Sequence, residues 1–406
     1  MELVNMVLCL FGGAILLLNS FSTSLQRVSV PAPLSALLFG IVVGPYGFEI
    51  IALDDFGVKP GILLEEAARI TLAISLTGVA LRLPHGYWSH NRQWIIPIIG
   101  LGMACMWAVA TGLIWAFLGI PFTLALLIGA IVTPTDPVVS TPIVTGSVAE
   151  GQIPSRVRYN ISSESGLNDG LAYLFVFLPL LLITESTQTA WREWLTHVLL
   201  REILLGTLLG AIFGFLVAKL FVYVTSHDLM EETAYSGFVI ALALFLLGLL
   251  KFLGTNAILG VFIAAVVFGQ RISQADEQNE DRESEIINRF FIIPIFILLG
   301  IGLPIREWSN LGVMAPIAMV GALLLRRLIT VWLLRPFYAA LHGKAETGFL
   351  SWFAAVGVSA LYYATLVERE TGRSDVFHCV TLAITLSLVV HGLTSTPFGA
   401  WLHRRS

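Results

Sequence analysis

The sequence predicts an all-α polytopic membrane protein, on the grounds of its composition, the length of its apolar runs and the prolines inside one of them. Of its 406 residues, 56% are hydrophobic and 12% are charged, and the mean hydropathy is +0.84. A soluble domain carries about 25% charged residues. Because backbone polar groups inside a bilayer must hydrogen-bond within the protein, the apolar runs are predicted to be helices.

Runs of about 20 apolar residues are long enough to cross a bilayer. Counting such runs predicts about thirteen transmembrane spans. The second span ends at about residue 44, after a loop marked by Pro31 and Pro33. The other twelve cover approximately residues 3–21, 63–83, 94–118, 122–148, 160–184, 199–224, 235–250, 256–269, 289–303, 311–334, 348–366 and 377–393.

Two spans carry signals for a break in the helix. The fifth contains Pro134, Pro137 and Pro142, and each proline removes a backbone donor and clashes with the preceding turn. In the twelfth, the sequence VGVSA at 356–360 predicts a second break. Non-helical backbone at membrane depth is tolerated where it lines a cavity, and half-helix ends there bind charged ligands.

The odd number of spans and the position of the breaks fit a duplicated architecture. We expect two inverted six-helix repeats, about 1–186 and 234–400, linked by the seventh span, with broken helices 5 and 12 crossing at an ion site. The whole chain, 1–406, is predicted to form a single transmembrane domain without a soluble regulatory domain. The one long polar stretch, 270–288, is interpreted as a solvated loop or interfacial helix.

The distribution of basic residues predicts the orientation. With the N-terminus outside, thirteen Lys and Arg residues fall on the inner side and seven on the outer side. An excess of basic residues in cytoplasmic loops is the usual arrangement. We therefore expect a multi-pass protein of the cell (inner) membrane, with its N-terminus outside and its C-terminus in the cytoplasm.

Two polar motifs inside strongly apolar sequence mark the candidate site. TPTDP at 133–137 contains Asp136, and SSESGLNDG at 162–170 contains Glu164 and Asp169. Ionisable groups are costly within a bilayer, and by default they mark an ion or proton pathway. On an ideal helix, four polar residues of the second motif fall within an arc of roughly 140°. These residues are Glu164, Ser165, Asn168 and Asp169.

The chemistry of this face predicts exchange of a cation for a proton. Burial disfavours an ionised carboxylate and a bound cation favours it, so a proton and a cation would compete for a carboxylate on this face. If Asp169 is the one group that changes protonation in each cycle, and its neighbour Asn168 cannot, one H⁺ exchanges for one monovalent cation without net charge movement. Hard oxygen ligands suit a small alkali cation. We predict electroneutral exchange of Na⁺ (or Li⁺) for H⁺ by alternating access, although carboxylate-rich sites also accept other hard ions.

The motif TDP at 135–137, the motif ESGLND at 164–169 and an intramembrane arginine together resemble the monovalent cation:proton antiporter-1 family, whose archaeal and bacterial members are called NhaP. The resemblance extends over nearly the whole chain by span count. It implies that Asp169 binds the ion and the proton, and that Asn168 matches a position held by Asp in electrogenic relatives. The residues that match other ion-site positions are Thr135, Asp136 and Ser165.

The resemblance further implies a homodimer and an ion pair between Glu164 and an arginine of the eleventh span. Arg326 and Arg327 are both candidates, and Arg327 is preferred because Val331 follows four residues later, as in the family's pattern. Breaking a buried pair costs about 3–5 kcal/mol, so the pair is interpreted as structural. One ligand position that is acidic in some relatives is occupied here by Thr77.

Structural interpretations compete with functional ones at several residues. Asp136 could cap the broken helix, and the hydroxyls of Thr135 and Ser165 could bond to their own helix backbone. His391, in the thirteenth span, is interpreted as a packed core histidine rather than a proton relay.

Three other functions compete with Na⁺/H⁺ exchange as interpretations of the sequence. A K⁺/H⁺ or other monovalent-cation/H⁺ exchanger is the main alternative, because selectivity depends on cavity dimensions. A channel would need a polar filter, and an intramembrane hydrolase would need Ser165 activated by His391 in a G-x-S-x-G motif; the sequence shows neither. The prediction is thus a non-enzymatic transporter without cofactors, whose partners are a monovalent cation, the proton and lipid. A net charge of −4 without a basic block argues against nucleic acid.

Overall fold

The computed structural model describes residues 2–231, 234–272, 290–337 and 343–405. Within these ranges, the regular structure is entirely helical. Among the described residues, seven helices are long and apolar enough to cross a membrane, or eight if the bent pair Phe290–Ile301 and Ile305–Leu311 forms one span. The predicted all-α membrane class is confirmed, whereas the count of thirteen spans and the inverted repeat stay predictions. Most of the polar stretch 270–288 lies outside the described residues.

The helices are numbered in chain order. Their bounds are α1 Glu2–Ser20, α2 Ser22–Arg27, α3 Ala32–Val43, α4 Pro60–Leu81, α5 Tyr87–Leu118, α6 Phe122–Ile131, α7 Pro137–Val144, α8 Gly146–Gln152, α9 Ser155–Thr184, α10 Thr187–Ser226, α11 Tyr235–Phe252, α12 Ala257–Gly269, α13 Phe290–Ile301, α14 Ile305–Trp308, α15 Met314–Leu334, α16 Lys344–Trp352, α17 Val358–Thr371 and α18 Ser374–His403. Two of them contain π-helical stretches, Ile98–Gly102 in α5 and Trp194–Leu205 in α10.

The predicted break in the fifth span is confirmed. Helix α6 ends at Ile131 and α7 begins at Pro137, with non-helical backbone between them. Pro137 occupies the first position of α7, where its missing N–H would have no helical partner in any case. The structure adds an interruption that was not expected, because the chain leaves the helix again at Thr145, between α7 and α8.

The predicted break in the twelfth span is also present, and it contacts the first. Helix α16 ends at Trp352 and α17 begins at Val358. The backbone N–H of Asp136 donates to the carbonyl of Ala355 at 2.8 Å, so the two non-helical segments meet. A Cβ atom on Gly357 would lie 2.8 Å from the carboxyl carbon of Asp136, and this close approach therefore requires glycine.

Three helices start earlier than their apolar runs predicted. Helix α5 begins at Tyr87, α9 at Ser155 and α10 at Thr187. The residues gained include polar ones such as Arg92, Arg156 and Arg192. An apolar run marks only the part of a helix that lies in hydrocarbon, whereas the helix continues into the interface, where water and headgroups solvate its polar side chains.

Candidate ion-binding site

The two polar motifs of the sequence meet where α9 passes the crossing of the two breaks. The predicted site residues of these motifs are all buried, with at most 3% of each exposed. They are Thr135, Asp136, Glu164, Ser165, Asn168 and Asp169.

Asp136 caps both half-helices that begin at the crossing. Its Oδ1 accepts hydrogen bonds from the backbone N–H groups of Val138 (2.7 Å) and Val139 (3.0 Å) in α7. Its Oδ2 accepts from the N–H of Ser359 in α17 at 3.3 Å. The capping interpretation of Asp136 therefore holds, and its carboxylate lies at the positive ends of two helix dipoles.

Arg326 hydrogen-bonds to the backbone at the two half-helices that end at the same crossing. Its Nη2 donates to the carbonyl of Ala354 at 2.7 Å, and its Nη1 donates to the carbonyl of Thr133. These carbonyls follow the C-terminal ends of α16 and α6, where the dipole is negative. The sequence presents Arg326 only as an alternative partner for Glu164. One feature of the sequence indicates a separate acceptor for Arg326, namely that Arg327 is its direct neighbour. Consecutive side chains of a helix point about 100° apart, so two adjacent arginines need different acceptors.

Glu164 forms a two-armed ion pair with Arg327 and not with Arg326. Nη2 of Arg327 donates to Oε2 at 2.7 Å, and Nη1 donates to Oε1. The remaining Nε donates to the carbonyl of Leu350 at 2.5 Å. Both side chains are almost completely buried, and the pair ties α9 to α15 and α16. Both carboxylate oxygens of Glu164 thus accept hydrogen bonds from Arg327, which fits a structural role.

The polar side chains next to Asp169 bind one another and the first break. Asn168 accepts from the backbone N–H of Thr135 at 3.3 Å and donates to its hydroxyl at 2.8 Å. The hydroxyls of Thr135 and Ser165 lie 3.1 Å apart. Within the described part of the chain, neither hydroxyl bonds to its own helix backbone. The interpretation that these hydroxyls only bond to their own backbone therefore does not fit the structure.

Asp169 differs from every other carboxylate of the site. It is fully buried, and neither of its side-chain oxygens accepts a hydrogen bond from a described residue. Its backbone carbonyl accepts a hydrogen bond from the hydroxyl of Tyr363 at 2.6 Å, which joins α9 to α17. A buried carboxylate without a partner is strongly unfavourable unless it binds a proton or a cation.

Two further predicted residues lie apart from this network. The hydroxyl of Thr77 donates to the carbonyl of Ala73 in its own helix at 2.8 Å, and no described hydrogen bond connects it with the site. His391 is fully buried beside Trp352 and Phe353, and its Nδ1 lies 3.2 Å from the hydroxyl of Ser387. This is the packing expected of a core histidine.

The crossed broken helices and the buried carboxylates characterise the molecule as a polytopic membrane protein with a buried polar site. A family model described as "Sodium/hydrogen exchanger, transmembrane" matches residues 13–401 of the chain. The chain belongs to this sodium/hydrogen exchanger family. Family membership confirms the prediction of a transporter rather than an enzyme.

Relatives and solved structures agree with this family. The chain is 28% identical to Na(+)/H(+) antiporter 2 of Zygosaccharomyces rouxii over 90% of its own length and 49% of the relative's. It is 26% identical to the Na(+)/H(+) antiporter of Schizosaccharomyces pombe, over 98% and 91%. The structure of the sodium proton antiporter MjNhaP1 from Methanocaldococcus jannaschii at pH 8 has the same fold, with a TM-score of 0.75, 18% identity and 99% and 100% coverage. The chain thus spans about half the length of the first of these relatives.

Proposed function

We propose that this chain exchanges Na⁺ or Li⁺ for H⁺ across a cell membrane, and that both ions bind at Asp169 in turn. The observation that carries the proposal is the Asp169 carboxylate, which is buried and has no described hydrogen-bond partner. The hydroxyls of Thr135 and Ser165 lie 3.1 Å apart, with Ser165 four residues before Asp169 on α9, and they offer the hard oxygen ligands that alkali cations prefer.

The charges around the site support an electroneutral exchange. Glu164 is balanced by Arg327, to which it is directly bound. Asp136 and Arg326 carry opposite charges at opposite ends of the crossing. Asn168 is neutral, so Asp169 is the one side chain among these residues whose charge the protein does not balance. Either one proton or one monovalent cation neutralises it, which predicts a 1:1 exchange.

The arrangement in the membrane is also part of this proposal. The excess of basic residues in alternate loops supports an outside N-terminus, a cytoplasmic C-terminus and a cell (inner) membrane. The helix breaks in the fifth and twelfth spans support inverted halves at about 1–186 and 234–400 linked by the seventh span. The homodimer rests on the family resemblance.

Transport by purified protein in liposomes tests the exchange. The vesicles contain a trapped pH dye, and Na⁺, Li⁺ or K⁺ is added with the membrane potential clamped or free. We expect Na⁺ and Li⁺ to drive proton movement that is insensitive to the clamp, and Asp169→Asn to abolish it because the exchangeable carboxylate is gone. Wild-type activity with K⁺ alone would establish the alternative exchanger. An Asp169→Asn variant as active as the wild type would exclude Asp169 as the shared site.

A further inference from the structure

The site contains a second buried polar group without a described partner, the hydroxyl of Ser359. Ser359 lies in the first turn of α17, directly after the second helix break, and is 1% exposed. Its backbone N–H donates to the carboxylate of Asp136 at 3.3 Å. The main chain therefore holds Ser359 at the crossing while its hydroxyl stays available.

The helix break explains why this hydroxyl has no partner. Buried serine and threonine hydroxyls usually bond to the carbonyl four residues earlier in the helix. Ser351 and Thr365, on the two halves of the same broken span, do so at 2.6 and 3.0 Å. For Ser359 the corresponding carbonyl belongs to Ala355, which lies in the non-helical segment and accepts from the backbone of Asp136 instead.

The position of Ser359 along α17 directs its side chain toward Asp169. Residues four apart lie on the same face of a helix. Tyr363, four residues after Ser359, hydrogen-bonds to the backbone carbonyl of Asp169 at 2.6 Å. Ser359 thus lies on the face of α17 that contacts Asp169, and no hydrogen bond is formed by the Ser359 hydroxyl or by the Asp169 carboxylate with a described residue. Two buried oxygen-bearing groups thus face each other, and neither has a described partner.

We propose that the hydroxyl of Ser359 is a ligand of the transported cation, which it binds together with the carboxylate of Asp169. This inference rests on the proposed function. A dehydrated Na⁺ or Li⁺ is a hard cation that binds a carboxylate and a hydroxyl oxygen together, and it satisfies both groups at once. The second broken helix then supplies a ligand to the ion directly, in addition to its backbone contact with Asp136.

Substitutions at Ser359 test the proposal in the full-length protein. Ser359→Ala removes the ligand, and we expect the Na⁺ and Li⁺ concentrations for half-maximal exchange to rise roughly tenfold. Exchange itself should persist, because Asp169 still carries the proton, so the half-maximal concentration is the readout. Ser359→Thr keeps a hydroxyl and should retain wild-type half-saturation. Ser351→Ala is the matched control, since its hydroxyl bonds to its own helix.

A binding measurement separates a ligand from a structural residue. Na⁺ that binds the folded protein raises its melting temperature, and Ser359→Ala should need roughly tenfold more Na⁺ for the same rise. If this variant does not fold, Ser359→Cys replaces it, because a thiol is a poor ligand for hard cations. Wild-type exchange together with unchanged half-saturation in Ser359→Ala, or an equal loss in Ser351→Ala, would overturn the ligand assignment alone. A wild type that exchanges no cation would overturn the proposed function itself.

Discussion

At the scale of single residues, two adjacent arginines perform different tasks. Arg327 binds a carboxylate through both arms, whereas Arg326 binds two backbone carbonyls at the helix breaks. The sequence shows that two buried guanidinium groups need acceptors, and the family pattern indicates which one binds Glu164. It does not reveal the acceptors of Arg326, because every residue has a backbone carbonyl and only the fold brings two particular ones together.

The Glu164–Arg327 pair leads to a prediction about stability. Glu164→Gln keeps the size of the side chain but leaves the charge of Arg327 buried and uncompensated. We expect the free energy of unfolding to fall by about 3–5 kcal/mol, which thermal unfolding in detergent measures. Glu66→Gln breaks the exposed pair with Arg69 on α4 and should change stability by only about 0–1 kcal/mol. Equal melting temperatures for the two variants would contradict a structural role for the buried pair.

At the scale of helices, the two breaks differ in how completely the sequence predicts them. Proline acts locally, so Pro134 and Pro137 are enough to place the first break. The second break contains no proline, and its extent depends on the long-range contacts of Ala355 and Gly357 with Asp136. The interruption at Thr145 is followed by Gly146, whose φ of +85° suits glycine, but a single glycine is a weaker local signal than proline. A single sequence therefore predicts breaks caused by covalent structure better than breaks caused by tertiary contacts.

The packing of α9 on α12 leads to a prediction for the helix that carries the site. Gly166, next to Ser165, lies under the ring of Phe262, and a side chain there would collide with that ring. We expect Gly166→Ala to lower stability by about 1–3 kcal/mol, as overpacking does, and to slow exchange because α9 is displaced. Melting temperature and vesicle transport measure the two effects.

Two further variants show whether the collision is the cause. In Gly166→Ala combined with Phe262→Leu, the smaller side chain relieves the overlap, so part of the lost stability should return. Gly248→Ala on α11 is the control, because a Cβ atom there meets no atom within 4 Å. If Gly166→Ala melted at the temperature of Gly248→Ala, the close packing of α9 on α12 would not constrain the site.

At the scale of the whole molecule, four of the five charged side chains buried at the described crossing hold it together, and the fifth, Asp169, has no described partner for its carboxylate. Arg326 and Asp136 occupy the ends of the half-helices, and Glu164 and Arg327 connect α9 to α15. Composition and motif spacing predict the membrane class and the segments that meet. They do not predict whether the site prefers Na⁺ or K⁺, because selectivity depends on ligand distances that neighbouring helices determine.

The release of protons on cation binding tests the shared role of Asp169 most directly. Na⁺ is added to weakly buffered, purified protein containing a pH dye, in small steps of pH, with choline as the control for ionic strength. We expect Na⁺ to release up to about one proton per chain where Asp169 is protonated, because the two ions exclude each other at one carboxylate. Asp169→Asn should release none. Na⁺ binding without proton release at any pH, or equal release by Asp169→Asn, would contradict competition at Asp169.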